Sequence, residues 1–272
     1  MAVTPMTFIK NYGPGLCAYG LSAYALTWRY LPSADPKMTA LTLSALASFT
    51  QGIGFLGRNL ILEGKKSQQE VNFTLLLIQI LSLAVLSPEF LQKAKLNTLF
   101  SQKLPSLVKA VAVSTISDGF GYIVWSLTAP HDKIPQPDSS LTWKYHASEV
   151  GCKGLASFAA LHWGFKSPNS MTTALMVTLM FTIQKIVPPR LQSYFNTSKL
   201  TDPAKKHSMA QRYHLLNGCL MLITPLAIHT LGNLFLKKTS PLSEVLAMQT
   251  LSGLAFQWIK SIAQDVVTLS TC

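Results

Sequence analysis

The sequence GLSAYALTWRY at residues 20–30 returns, with one extra residue, as GLASFAALHWGF at residues 154–165. After a short polar link, both copies restart with the same dipeptide, Met38-Thr39 in the first and Met171-Thr172 in the second. Matches that recur in this order indicate an internal duplication with a period near 134 residues. We therefore interpret the chain as two related halves.

The composition indicates a membrane protein. Charged residues make up 12 % of the 272 residues, against about 25 % in typical soluble proteins. The apolar fraction is 49 % and the mean hydropathy is +0.29. Small and hydroxylated residues are frequent, as expected where helices pack closely in a bilayer. The chain is predicted to be an integral protein of a bacterial inner membrane or of an organellar or cellular membrane.

The basic residues suggest contact with lipid. The 23 Lys and Arg residues exceed the 11 Asp and Glu residues, which gives a formal charge of +12. Many of the cations stand in short links between apolar runs, where they meet anionic lipid headgroups. These are Arg58, Lys65, Lys66, Lys199, Lys205, Lys206 and Arg212. No dense basic face with interleaved aromatics is visible, so nucleic acid is not an expected partner.

The uncharged runs predict the membrane spans. A helix needs about 20 apolar residues to cross the hydrocarbon core. Five runs are strong candidates: 11–28, 38–57, 71–88, 167–184 and 213–236. Three are marginal because a charge interrupts or ends them: 110–130, 149–165 and 245–259.

The duplication supports the marginal spans. The run 149–165 is the copy of the first span, and 245–259 matches 110–130 when Thr115-Ile116-Ser117 is aligned with Thr250-Leu251-Ser252 and Asp118 is treated as an insertion. The predicted fold is therefore all-α, with about eight transmembrane helices in two tandem four-helix repeats. An even number of spans per repeat relates the halves by a pseudo-twofold axis along the membrane normal.

The predicted boundaries follow from this assignment. Residues 1–130 form the first repeat, which includes an amphipathic segment at 89–109 expected to lie in the interface. The polar, proline-rich stretch 131–146 is the linker, and residues 147–272 form the second repeat. The longest and most basic link is expected over 188–212.

Asp118 is the strongest single candidate for a functional residue. It interrupts an otherwise uncharged run, and a carboxylate inside a bilayer is costly unless it faces water, a cavity or a partner. It is a candidate for an ion or solute pathway. The alternatives are a position near a membrane face, or an N-cap of a shorter helix that begins at Gly119.

Gln51 and Gln184 form the second candidate set. Each glutamine stands thirteen residues after the methionine that restarts its copy. If these equivalent residues face each other near the axis, their amides can line a polar path. They can equally hydrogen-bond to each other between helices, with a gain of about 1 kcal/mol.

No enzymatic motif is recognisable, and Cys and His residues show no metal-ligand spacing. We expect no cofactor and no metal, and the sequence favours a non-enzyme. The preferred hypothesis is movement of a small solute or ion along the interface of the two repeats. One alternative is a membrane scaffold or assembly factor that uses the basic link and the amphipathic segment. Another is a membrane-embedded lipid-modifying enzyme. The sequence leaves open whether the protein forms a homo-oligomer.

Overall fold

The structure is a computed structural model that describes residues 5–62, 64, 74–75, 77–78, 81, 105–129, 143–195, 202–236 and 240–270. Within these residues the chain is helical and contains no strand. Seven long helices have both ends in the described ranges: α1 (Pro5–Tyr30), α2 (Pro36–Leu62), α3 (Leu107–Thr128), α4 (Trp143–Ala159), α5 (Ser170–Tyr194), α6 (Pro203–Leu236) and α7 (Leu242–Ser270). A π-helical turn, Ala160–Gly164, continues α4.

Four of these helices are long and apolar enough to cross a membrane, namely α2 over Pro36–Gly57, α3, α5 and α6. Two of them have little protein cover: within the most apolar part of the helix, 11 % of the residues of α2 and 17 % of those of α6 are buried, against 39 % in α3 and 44 % in α5. An apolar helix surface with so little protein cover is suited to lipid. These features support an α-helical, multi-pass membrane protein.

Seven of the eight predicted spans coincide with helices. The third predicted span, 71–88, lies largely outside the described residues, and so does the amphipathic segment 89–109 as far as residue 104. The number of eight spans therefore stays a prediction.

Helix α3 lies at the centre of the described structure, since it packs against α1, α6 and α7. Helix α2 joins the bundle through α1, and α4 and α5 pack on each other and on α7. One apolar cluster fills the α1–α2–α3 region and comprises Tyr19, Ala23, Leu43 and Val113. A larger one lies among α3 to α7 and includes Val111, Met176, Met180, Phe181, Ile228 and Met248. Helix α3 therefore joins α1 on one side to α6 and α7 on the other.

Glycine sets the distance between α1 and α3. A Cβ atom on Gly15 would lie 2.9 Å from the carbonyl oxygen of Gly121, and a Cβ atom on Gly121 would lie 2.9 Å from that of Gly15. Only glycine fits at such a backbone-to-backbone approach, as in other membrane helix pairs. The result is the most extensive helix–helix contact among the described elements.

Two positions of the similar stretches 20–30 and 154–165 have matching exposure, although Thr27 is buried and its counterpart His162 is exposed. Ala23 and its counterpart Ser157 are fully buried, whereas Trp28 and its counterpart Trp163 are 69 % and 72 % exposed. The extra residue, Ala160, opens the π turn, which is closed by a 2.9 Å backbone hydrogen bond that spans five residues. Because a π turn holds one residue more than an α turn, the insertion is absorbed where it occurs.

Two boundaries differ from the sequence prediction. Helix α4 begins at Trp143, inside the predicted linker 131–146. The basic link predicted over 188–212 is wrong for most of its length, because α5 continues to Tyr194 and α6 begins at Pro203. Prolines normally end a helix, but here a buried cluster of Phe195, Ala210 and Tyr213 packs the end of α5 onto α6.

Candidate functional site

Asp118 lies in the middle of α3, between the buried residues Ser117 and Gly119, and is itself exposed. Helix α3 begins at Leu107, so Asp118 does not cap a shorter helix and that alternative is wrong. The carboxylate is thus carried on the outer surface of a helix that is apolar enough to span a membrane.

The two glutamines lie on helices that do not share an extensive contact. Gln51 is exposed on α2, and Gln184 is half-buried on α5. Helix α2 packs extensively only against α1 among the described helices, whereas α5 packs against α4, α6 and α7. The structure does not bring the two amides together.

A cluster of three charged side chains joins α4 to α5. Glu149 Oε1 accepts a hydrogen bond from Lys153 Nζ, one turn later in α4, and Glu149 Oε2 accepts one from Lys185 Nζ of α5 at 2.6 Å. Glu149 and Lys153 are each 7 % exposed, and the Lys185 side chain is 30 % exposed. We call this set the lysine–glutamate cluster; its three side chains carry a formal charge of +1.

Two aromatic rings complete the surroundings of Lys153. Its Nζ lies 4.4 Å from the ring centroid of Phe181 in α5 and 5.1 Å from that of Phe256 in α7. Ring faces attract cations, and they do so more strongly where water is excluded. Lys153 is therefore held by a carboxylate and two rings, and the cluster connects α4, α5 and α7.

The first half has a neutral, close-packed contact at the equivalent place. The alignment of the two copies sets Glu149 against Gly15 and Lys153 against Tyr19. Gly15 touches the backbone of α3, and Tyr19 hydrogen-bonds through its hydroxyl to Ser114 Oγ at 2.9 Å. The contact of α4 with α7 is less extensive than that of α1 with α3. The aligned positions therefore carry neutral, close-packed residues in α1 and charged residues in α4.

Gln184, next to Lys185 in the sequence, lines a separate cavity of about 20 Å³ between α5 and α6. Asn217 and Thr224 of α6 supply the other polar lining, and the rest of the wall is apolar or proline. A cavity of this size has room for one water molecule. The polar side chains of α5 thus face α4 on one side and α6 on the other.

The tandem prolines Pro188 and Pro189 remove two backbone donors from α5. In a regular helix, the N–H groups at these positions would bond to the carbonyl groups of Gln184 and Lys185, four residues earlier. Both carbonyls have therefore lost their usual helical partners. In membrane helices such groups are satisfied by side chains, water or neighbouring helices. Helix α5 continues through segment 184–189, but two of its backbone carbonyls lack their helical donors.

The histidines in the predicted spans have separate partners. His214 of α6 is buried and shares a 2.8 Å hydrogen bond between its Nδ1 and the hydroxyl of Tyr122 in α3. His229 Nε2 lies 2.7 Å from the carbonyl oxygen of Ser240, and His162 stacks on Phe158. Among the residues that the structure describes, no three His, Cys, Asp or Glu side chains come together as metal ligands.

Glu149, Lys153 and Lys185 are not among the site residues predicted from the sequence. Lys153 interrupts the marginal span 149–165, and Lys185 lies between the predicted span 167–184 and the link predicted over 188–212. The available signal is the Glu-to-Lys spacing of four, which places both side chains on one helix face. That pair lies next to the duplicated stretch, in which the first copy has no charge at these positions.

Comparison with protein-family models, with curated proteins and with solved structures finds no match for this chain.

Proposed function

We propose that this chain is an integral membrane protein with eight spans in two tandem four-helix halves, 1–130 and 147–272. Thr115 and Thr250, which the sequence aligns, share a 2.7 Å hydrogen bond between α3 and α7. Equivalent residues of two copies meet in this way beside a twofold axis. With four spans in each half, both halves enter the membrane from the same side, and the axis is parallel to the membrane normal.

The proposed activity is the movement of a small solute or ion across the membrane. The observation that carries it is the lysine–glutamate cluster. Ionised side chains inside a helical membrane bundle cost several kcal/mol and usually mark a substrate or ion path. A purely structural tie between α4 and α5 could be built from apolar side chains, often with no loss of stability.

The proposed route runs in the second half, beside the contact of the two halves. The contact itself is closed by the Thr115–Thr250 hydrogen bond. The cluster lies between α4 and α5, and the Gln184 cavity lies between α5 and α6. Freed backbone carbonyl groups coordinate ions in transporters, and the two prolines free two such groups in segment 184–189, although α5 continues through it.

Anionic lipid headgroups are the proposed partners of the basic end of α6. This helix has 34 residues, which corresponds to about 51 Å, whereas the hydrocarbon core is about 30 Å thick. Its first turns carry Lys205, Lys206 and Arg212. The excess length supports a position of these cations outside the core, at headgroup level.

The test is solute-induced current or tracer uptake with the full chain in liposomes, for a panel of inorganic ions, amino acids and organic acids. Lys185→Met is expected to lower the flux of the active solute at least tenfold, because Glu149 then loses its partner on α5. The matched control is Lys37→Met, which removes an exposed lysine of α2 and should leave the flux unchanged.

Three results would contradict transport. One is a folded wild-type protein that moves no member of the panel and co-purifies with one fixed partner, which is the result expected of a scaffold. Another is turnover of a lipid headgroup without flux, which is expected of an enzyme. The third is a flux that Lys185→Met and Lys37→Met lower to the same extent.

A further inference from the structure

We propose that Lys185 binds the carboxylate group of a small organic anion, which takes the place of the Glu149 carboxylate. This names the substrate class of the proposed function and rests on that function for the role of the anion as cargo. The site itself is defined by three side chains and two aromatic rings, and its binding can be measured without transport.

The charges of the cluster single out Lys185. Glu149 and Lys153 form a neutral pair within one helix, one turn apart. Lys185 comes from the neighbouring helix and adds the third charge. An ammonium group has three donors, and Glu149 Oε2 accepts one of those of Lys185. The Lys185 side chain is 30 % exposed, whereas the side chains of Lys153 and Glu149 are 9 % and 8 % exposed. It is the member that a solute can reach.

The geometry of Glu149 shows which ligand fits. Its Oε2 lies 2.6 Å from Lys185 Nζ, so the space beside this ammonium already admits a carboxylate oxygen. A solute carboxylate in that position replaces one charge-assisted hydrogen bond by another of the same kind. The exchange therefore needs no new type of contact.

Glu149 keeps a partner when it is displaced. Its Oε1 stays bonded to Lys153, and Lys153 is held in place by the rings of Phe181 and Phe256. A buried carboxylate without a partner would cost several kcal/mol, and this arrangement avoids that cost. The pair Glu149–Lys153 acts as the fixed part of the site and Lys185 as the exchangeable part.

Binding also changes the contact between two helices. The Lys185–Glu149 ion pair links α4 to α5, and an anion on Lys185 removes that link. A ligand shifts a conformational equilibrium only through different contacts in the two states. Here the different contact is the ion pair, so carboxylate binding breaks the Lys185–Glu149 link between α4 and α5, whereas Lys153 of α4 keeps its contact with Phe181 of α5.

The experiment uses the full chain in detergent and follows its melting temperature against sodium acetate concentration. Sodium chloride keeps the ionic strength constant, and acetamide serves as the neutral isostere of acetate. For the wild type we expect a rise that saturates with acetate, because a ligand of the folded state stabilises it, and no rise with acetamide. Lys185→Arg should keep the response and Lys185→Gln should lose it.

Lys185→Gln leaves the Glu149–Lys153 pair intact, so this variant is expected to fold. Glu149→Gln gives the second readout, because it removes the internal competitor for Lys185 and should tighten acetate binding at least tenfold. A merely structural ion pair predicts a less stable Glu149→Gln variant whose melting temperature does not depend on acetate.

The proposal is overturned if acetate stabilises the wild type no more than chloride does, or if Lys185→Gln retains the acetate response. These results are separate from the flux measurement. Flux without acetate binding would refute the carboxylate site alone, and acetate binding without flux of any carboxylate would refute transport alone.

Discussion

The side-chain hydroxyls of Thr115 and Thr250 lie 2.7 Å apart across α3 and α7. The Thr115 hydroxyl donates to the carbonyl oxygen of Val111 in its own helix at 2.8 Å. Its proton is therefore used, and Thr250 is the donor between the two helices. The aligned residues Ser117 and Ser252, two positions further on, are buried. The equivalent residues Thr115 and Thr250 thus meet where α3 packs on α7.

Removing this hydrogen bond should weaken the contact between the halves. Interhelical hydrogen bonds in membranes contribute about 0.6 kcal/mol on average, with a maximum of about 1.7 kcal/mol. We expect a coupling energy in this range from Thr115→Val, Thr250→Val and the double variant, measured by equilibrium unfolding in mixed micelles. Thr230→Val is the control, because that exposed hydroxyl bonds only within its own helix at Leu226. A coupling energy of zero would argue against the contact.

Gly121→Ala should destabilise the first half. The new methyl group would lie 2.9 Å from the carbonyl oxygen of Gly15, and such overpacking costs about 1–3 kcal/mol. The matched control is Gly151→Ala in α4, where no atom lies within 4 Å of the added carbon and the better helix propensity of alanine favours the variant. The measurement is the free energy of unfolding. Equal effects of the two substitutions would contradict the close approach of α1 and α3.

Asp118 should face water or polar surroundings rather than lipid tails. In a protein freed of its native cysteines, a cysteine in place of Asp118 is expected to react with a membrane-impermeant maleimide, because a carboxylate in lipid would be costly. Phe120 is 44 % exposed and lies two residues on, about 200° around the helix. Phe120→Cys should stay unlabelled. Labelling of Phe120→Cys but not of Asp118→Cys would reverse the assignment of the two faces.

Tyr122→Phe should lower stability through the loss of its hydrogen bond to His214. The bond is 2.8 Å long and the histidine is buried, so we expect a cost of about 0.5–1.5 kcal/mol. Tyr24→Phe removes a hydroxyl from a tyrosine that is 39 % exposed and should have no effect. The check is the difference in unfolding free energy between the two variants, and no difference would mean that the bond contributes nothing.

The sequence predicted the helices because span length and apolar composition are local properties. Seven of the predicted spans coincide with described helices. The residues at which the helices end were less predictable. Pro188 and Pro189 suggest the end of a helix, yet α5 continues to Tyr194 because Phe195 packs against Tyr213 of α6. That contact depends on how α5 and α6 pack against each other, and the local sequence around the prolines does not predict this packing.

The candidate site was predictable only in part. The repeat drew attention to Gln184, and the structure places it beside a cavity. Its counterpart Gln51 is exposed on a helix that does not pack extensively on α5. The absence of a charge at Gly15 and Tyr19, set against Glu149 and Lys153, was visible in the alignment. The meaning of that difference depends on Lys185, which comes from another helix.

The sequence alone determined the helical class and the apolar helices, since these follow from composition and residue spacing; the two related copies, predicted from the order of matching residues, stay a prediction. Only the tertiary structure decided which polar side chains meet. Glu149 and Lys185 are 36 positions apart in the sequence. They touch because α4 and α5 pack side by side in opposite directions, which places the two residues next to each other. Thr115 and Thr250 touch because α3 and α7 cross at equivalent residues. Contacts between residues far apart in the sequence depend on how whole helices pack. The formation of each helix depends on residues that are close together in the sequence.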